Sequence, residues 1–221
     1  TQAGTDTTRA VTPAGLAAWP RTGSVSVTVG PSGADYTTLN AAISALCKRY
    51  PGHGATAIIS VAVNFVMAEQ VLVRGQNLGW ITISGGADNT TPRSIQTSAI
   101  TTTFDGNITA LRAAFGAAYG GTLPVIACPF AFDATTPAAS VCGLVLTSGA
   151  SALFMRGIKN TPSGGYAAYV GSTTRAYLGG DWSGGTRPEG LRCVGSCYTT
   201  GNWRSSSGTD ATTDIVVTDG G

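Results

Sequence analysis

The side chains best suited to chemistry lie towards the C-terminal end of the chain. Asp181 sits within Gly179-Gly180-Asp181-Trp182-Ser183-Gly184-Gly185, Glu189 follows Arg187-Pro188, and Asp210 lies further on. Glycoside hydrolysis needs two carboxyl groups facing one groove, about 5–9.5 Å apart. These three residues are the candidates for such a pair. The competing reading makes them turn carboxylates that bond to local backbone. The same region gathers Tyr166, Tyr169, Tyr177, Trp182, Tyr198 and Trp203 beside Arg175, Arg187, Arg192 and Arg204. Flat rings stack on sugar faces, and guanidinium groups hydrogen-bond hydroxyls and carboxylates. Tyr177, Trp182, Tyr198, Trp203, Arg187 and Arg204 therefore form the candidate glycan-contact set. Core or subunit-interface packing is the alternative for the same residues.

Other chemistries find little support. Five cysteines (Cys47, Cys128, Cys142, Cys193 and Cys197) are an odd number, and Cys193 and Cys197 are spaced CxxxC rather than CxxC. With a single histidine, His53 in a Pro-Gly-His-Gly turn, no zinc site is expected, and the cysteines read as buried apolar thiols. A Cys193–Cys197 disulfide is the other possibility. Lyase chemistry needs clustered acidic calcium ligands with a basic partner. The carboxylates are dispersed, and Arg156 and Lys159 have no acidic neighbours in sequence. The glycine-rich turns contain no phosphate-binding pattern, so no cofactor is expected. Eleven arginines are scattered without a basic block, which argues against nucleic acid.

The elements that must position these residues are mostly strands. Charged residues are 11% of the 221, against about 25% in ordinary domains, and glycine is twice its usual share at 31 residues. This composition disfavours helical bundles and favours β structure with tight turns. No apolar run is long enough to span a bilayer. Val25, Val27 and Val29 alternate with Ser26 and Thr28 as a half-buried strand. Over 37–50, Leu39, Ile43, Leu46 and Tyr50 fall on one helical face, with Ala42 and Cys47, and Pro51-Gly52 ends the helix. Runs at Ala57–Val63, Gln70–Val73 and Trp80–Ile83 follow, and the distance from Ala57 to Trp80 is that of one solenoid coil. Residues 88–143 are expected as an irregular or inserted coil, where Ile108 to Tyr119 carries a helical period opposed by glycines. Strand–turn rhythm resumes from 144 to 221, where Asp181 and a residue near 204 are one coil apart. Residues 1–22 differ in composition and read as a connector with a short helix over about 13–18, leaving 23–221 as one domain.

The order from strand to Gly33-Ala34-Asp35-Tyr36-Thr37-Thr38-Leu39-Asn40, amphipathic helix and closing run Trp80-Ile81-Thr82-Ile83-Ser84-Gly85 resembles the start of a phage tailspike or tail-fibre right-handed parallel β-helix (a pectate-lyase-like solenoid). In that family this turn opens a helix that plugs the N-terminal end. Residues 2–16, from Gln2-Ala3-Gly4-Thr5-Asp6 through Ala10-Val11-Thr12-Pro13-Ala14-Gly15-Leu16, resemble a connector motif that precedes receptor-binding domains in tail fibres and collars. The fold expected is therefore all-β, a right-handed parallel β-helix with an N-terminal capping helix and a short connector.

The resemblance implies a homotrimeric virion appendage that binds a host surface polysaccharide and joins other tail or baseplate proteins through residues 1–20. It would be made in the host cytoplasm without a signal peptide. A polysaccharide depolymerase, hydrolase or lyase, on the same scaffold is the alternative. A secreted cell-wall β-helix protein is a third reading, disfavoured by the connector.

Overall fold

The computed structural model describes residues 23–49, 55–103, 111–133, 140–162, 165–171, 174–183, 191–193, 198–199, 202–204 and 215–217. The connector, with its expected helix over 13–18, lies outside them. The strand β1 (Gly23–Val29) leads into the helix α1 (Leu39–Arg49). Six rounds of three strands follow. The first is β2 (Ala55–Val61), β3 (Val66–Met67) and β4 (Val71–Arg74); the second is β5 (Ile81–Ser84), β6 (Arg93–Ile95) and β7 (Arg112–Ala118). The third is β8 (Val125–Ile126), β9 (Phe130–Phe132) and β10 (Val141–Leu146), and the fourth β11 (Ser151–Arg156), β12 (Ile158–Lys159) and β13 (Ala168–Val170). The fifth is β14 (Arg175–Gly179), β15 (Asp181–Ser183) and β16 (Leu191–Cys193), and the sixth β17 (Tyr198–Thr199), β18 (Asn202–Arg204) and β19 (Ile215–Val217).

The fold is mostly β and its strand ladders are parallel. The first strand of each round pairs with the first strand of the next, giving the order β1-β2-β5-β8-β11-β14-β17. The third strands form a second ladder, β4-β7-β10-β13-β16-β19. The middle strands form β3-β6-β9-β12, and β15-β18 continues it, Thr161 N–H donating to Ser183 O at 3.0 Å. Partners lie about one round apart: Ala57 faces Ile81, Leu144 faces Ala168, and Ala168 faces Leu191. Inward side chains from the three sheets, such as Ile59, Ile83, Met67, Ile95, Phe115, Phe130, Leu144 and Leu178, merge into one core. Phe115 and Phe130 meet edge-on there, with ring centroids 5.0 Å apart.

The described residues of 88–143 join these sheets through β6 to β10. Instead of a helix over 108–119, Arg112–Ala118 is a strand, buried on both faces between β4 and β10. A strand covered on both sides shows no polar alternation, which is why its period is ambiguous. The outer side of this sheet carries a second apolar cluster of Leu111, Ala113, Ala118, Cys142, Val145 and Tyr166. The extra length of the second round sits between β6 and β7, so that Val71 pairs with Phe115. Gln70 ties this excursion down: its Nε2 donates to Thr102 O and Ala113 O, and Thr102 N–H donates to its Oε1 at 2.7 Å. Long surface excursions add little closure entropy.

Helix α1 lies against β1 and β2 and buries Leu39, Ala42, Ile43 and Leu46. Thr38 caps it through Oγ1, which accepts from Ala41 N–H at 3.1 Å. A second cap comes from afar: the Glu69 carboxylate accepts from Leu39 N–H at 2.6 Å and Asn40 N–H at 3.1 Å. The edge of β1 is also blunted, because Asp35 Oδ2 accepts from Thr28 N–H and Thr28 Oγ1.

Arg93 is fully buried. Its guanidinium donates to the backbone oxygens of Val61, Gly85, Asp88 and Thr91, so four carbonyls stand in for a carboxylate. Gly85 is required here, since a Cβ would fall 2.0 Å from Asp88 O. Asp88 in turn accepts from Thr90 and Thr91, and these bonds hold its carboxyl well below the usual range.

Replacing Arg93 with Leu strands these carbonyls in the core and is expected to destabilise the fold by roughly 3–5 kcal/mol. Thermal unfolding of the variant would then fall by about 10 °C or more, and an unchanged melting temperature would refute the bonding described. Burial pushes the Glu69 carboxyl above its usual value, against the opposing backbone bonds from Asn40 and Leu39. A folded-state value above the unfolded one favours the folded state at low pH, and that benefit is lost as pH rises through the folded value. Denaturant unfolding of wild type and Glu69→Gln at pH 4 and pH 7 should show the variant gaining on the wild type at the higher pH.

Candidate functional site on the outward face of the first sheet

Alternation along the strands sends Ala57, Ile59 and Val61 inward and Thr56, Ile58 and Ser60 outward on β2. Register then aligns outward residues across successive strands. Ser26 faces Ile58, Ile58 faces Thr82, and Thr82 faces Val125. Ile126 faces Met155 and Met155 faces Leu178, which sets Phe154 beside Val125 and Tyr177. Tyr177 faces Tyr198. The result is one ladder of outward side chains running Ser26, Ile58, Thr82, Val125, Phe154 and Tyr177 across the sheet.

An irregularity in β11 thickens this ladder. Between Ala152 and Met155 the register with β14 shifts, two residues of β11 opposing Tyr177. Bulges of this kind re-aim side chains. Leu153 and Phe154 consequently both stand outside the core, Leu153 with 55% of its surface exposed. The Phe154 and Tyr177 rings lie 5.8 Å apart at 37°, and Tyr177 is 40% exposed. Leu153 rests over Gly79, where a Cβ would fall 2.5 Å from its Cδ1. With Ile58 at 45% exposure, this sheet presents an apolar and aromatic stripe to solvent.

Polar rows flank the stripe. On one side Thr122 and Ser151 share a hydroxyl hydrogen bond of 2.8 Å, and Ser151 faces the exposed Arg175. On the other, Ser60 faces Ser84, and Arg156 faces Gly179. No carboxylate occurs on β8, β11 or β14.

The structure separates the candidate residues. Tyr177 stands on the exposed stripe. Trp182 does not: its ring is fully buried in the core and its Nε1 donates to Gly179 O at 3.1 Å. On the short strand β15 its side chain points into the core rather than out. The backbones of Tyr198, Trp203 and Arg204 pair with Tyr177, Trp182 and Ser183, while their side chains lie outside the description. Asp181 pairs with Asn202, so the backbone ladder puts no second carboxylate beside it. The side chain of Asp181, and all of Arg187, Glu189 and Asp210, lie outside the described residues. Leu153, Phe154 and Val125 were not singled out from the sequence. The signal that identifies them is the offset of one round between 151–156 and 175–179.

No family model, curated protein or solved structure matches the chain.

The four carboxylates whose side chains are described all accept bonds from backbone N–H or threonine groups. Asp35 binds Thr28, Glu69 the start of α1, Asp88 its own turn, and Asp133 Thr97 N–H and Oγ1. Among the described residues no three His, Cys, Asp or Glu side chains gather as metal ligands, and no helix is long and apolar enough to cross a membrane. Cys47 and Cys128 are free thiols, burial pushes Cys128 up to about 11, and Cys142 Sγ accepts from Tyr166 N–H at 3.4 Å. A thiol held that high carries little nucleophilic thiolate near neutrality.

Burial separates the two aromatic candidates experimentally. Trp182→Ala should destabilise the fold by about 3–5 kcal/mol, whereas Tyr177→Ala should change stability by about 1 kcal/mol or less. Equal losses in denaturant unfolding would show that Tyr177 is a packing residue.

Proposed function

We propose that this chain is a structural, receptor-binding part of a virion appendage, a tail spike or tail fibre, built on a right-handed parallel β-helix and attaching to a host surface glycan. The observation that carries the reading is the outward stripe of the first sheet, in which parallel register sets Val125, Phe154 and Tyr177 side by side on successive strands. Sugar faces stack on flat rings, and strands ~4.8 Å apart hold the Phe154 and Tyr177 rings side by side to meet them. The cyclic order in which the chain visits its three sheets supports a β-helix. The helix α1, lying against the first round with its N-terminus held by Glu69, supports the plugged N-terminal end that the resemblance implies. Residues 1–20 would join the chain to other tail or baseplate proteins, and homotrimer formation would place several stripes on one appendage.

Binding is favoured over cleavage. Each described carboxylate is committed to a backbone or threonine partner, and the stripe itself bears none on β8, β11 and β14. Light scattering of the purified chain, followed by binding to surface polysaccharides from a panel of bacteria, tests the proposal. The expected result is a stable trimer that retains at least one polysaccharide and releases no new reducing ends or unsaturated sugars. A stable monomer that binds none of them overturns it.

A further inference from the structure

The outward stripe has a defined electrostatic character at its aromatic end. Arg175 and Arg156 stand on either side of Tyr177 and Phe154. Arg175 is paired in register with Ser151 and is exposed, while Arg156 pairs with Gly179. The Arg156 stem lies over the next glycine, with its Cγ 3.1 Å from where a Gly180 Cβ would be. The two arginines are thus four strand steps apart, roughly 13 Å along the sheet, with the rings between them. The strands carrying this platform contribute no carboxylate to neutralise it. An aromatic platform alone recognises a sugar face. Guanidinium groups at both margins add forked donors whose geometry matches a carboxylate.

We infer that the platform of Leu153, Phe154 and Tyr177, bracketed by Arg156 and Arg175, is a binding subsite for an acidic polysaccharide, the rings meeting sugar faces and the arginines meeting uronic-acid carboxylates. This inference rests on the glycan-binding reading and narrows it to one chemical class. Charge complementarity selects this occupant over a second copy of the chain, whose matching stripe would bring the same arginines towards each other.

The test uses the full chain with polygalacturonate and hyaluronate, each also in carboxyl-reduced form, and with dextran. An acidic polymer should bind, and carboxyl reduction should weaken it roughly tenfold or more, the scale expected for charge-assisted hydrogen bonds. Arg156→Gln combined with Arg175→Gln should cause a similar loss, and raising the salt should weaken wild-type binding. Tyr177→Ala should weaken every polymer that binds, while Arg112→Gln on β7, in the other long sheet, should leave affinity unchanged. Binding that is indifferent to carboxyl reduction and to the paired arginine substitutions overturns the acidic subsite while leaving glycan binding intact. Failure of every acidic polymer to bind also overturns it, and the panel of bacterial polysaccharides separately decides the broader reading. If Leu153→Ser or Tyr177→Ala instead converts an oligomer to monomers, the stripe is an interface between copies and the subsite is refuted.

Discussion

Parallel pairing between a strand and its successor one round later constrains everything else in this molecule. Because side chains alternate at period two, a slip of one residue would turn every inward residue of a round outward. Ala57 opposite Ile81, and Ile59 opposite Ile83, keep apolar residues facing the core in both strands at once. The same pairing aligns the outward residues without further instruction. The stripe from Ile58 to Tyr177 is thus a by-product of core register, and its composition is free to vary where core composition is not.

Where the register departs from regularity, the departure has a local support. The long excursion between β6 and β7 is bracketed by Gln70, which uses both ends of its amide on Thr102 and Ala113. The turn between β5 and β6 closes around Arg93, whose bonds to four carbonyls replace the pairing a tighter turn would supply. The irregularity in β11 has another character. It leaves the inward residues Ala152 and Met155 in place and adds an outward residue. The change spares the core and alters only the surface.

Much of this was legible in the sequence, for identifiable reasons. The valines of β1 and the apolar face of α1 show simple periods. The short middle strands β3, β6, β12 and β15 escaped notice because two or three residues display no period. β7 escaped because neighbours on both faces erase alternation. The candidate site was half visible. Tyr177 was found through its residue type, but the same criterion admitted Trp182, whose burial depends on which way a short strand faces. Phe154 and Leu153 have no notable neighbours in sequence and become a platform only through pairing with Tyr177 and the shift in β11.

The scarcity of charge sharpens the functional argument. In a chain with so few ionisable residues, those whose surroundings are described serve mainly to satisfy backbone. Asp35 closes the edge of β1, Glu69 the start of α1, Asp88 its own turn, Asp133 the turn at Thr97, and Arg93 a set of buried carbonyls. Such groups are held by the fold and have little to offer a substrate. Residue type alone would rank them first as chemistry, yet their geometry makes them structural. Arg156 and Arg175 differ because they stand on the outward face beside exposed rings, on strands already paired through their own backbone. These two arginines set charge beside an aromatic surface that the core does not use, whereas the most buried and most strongly perturbed groups hold the fold.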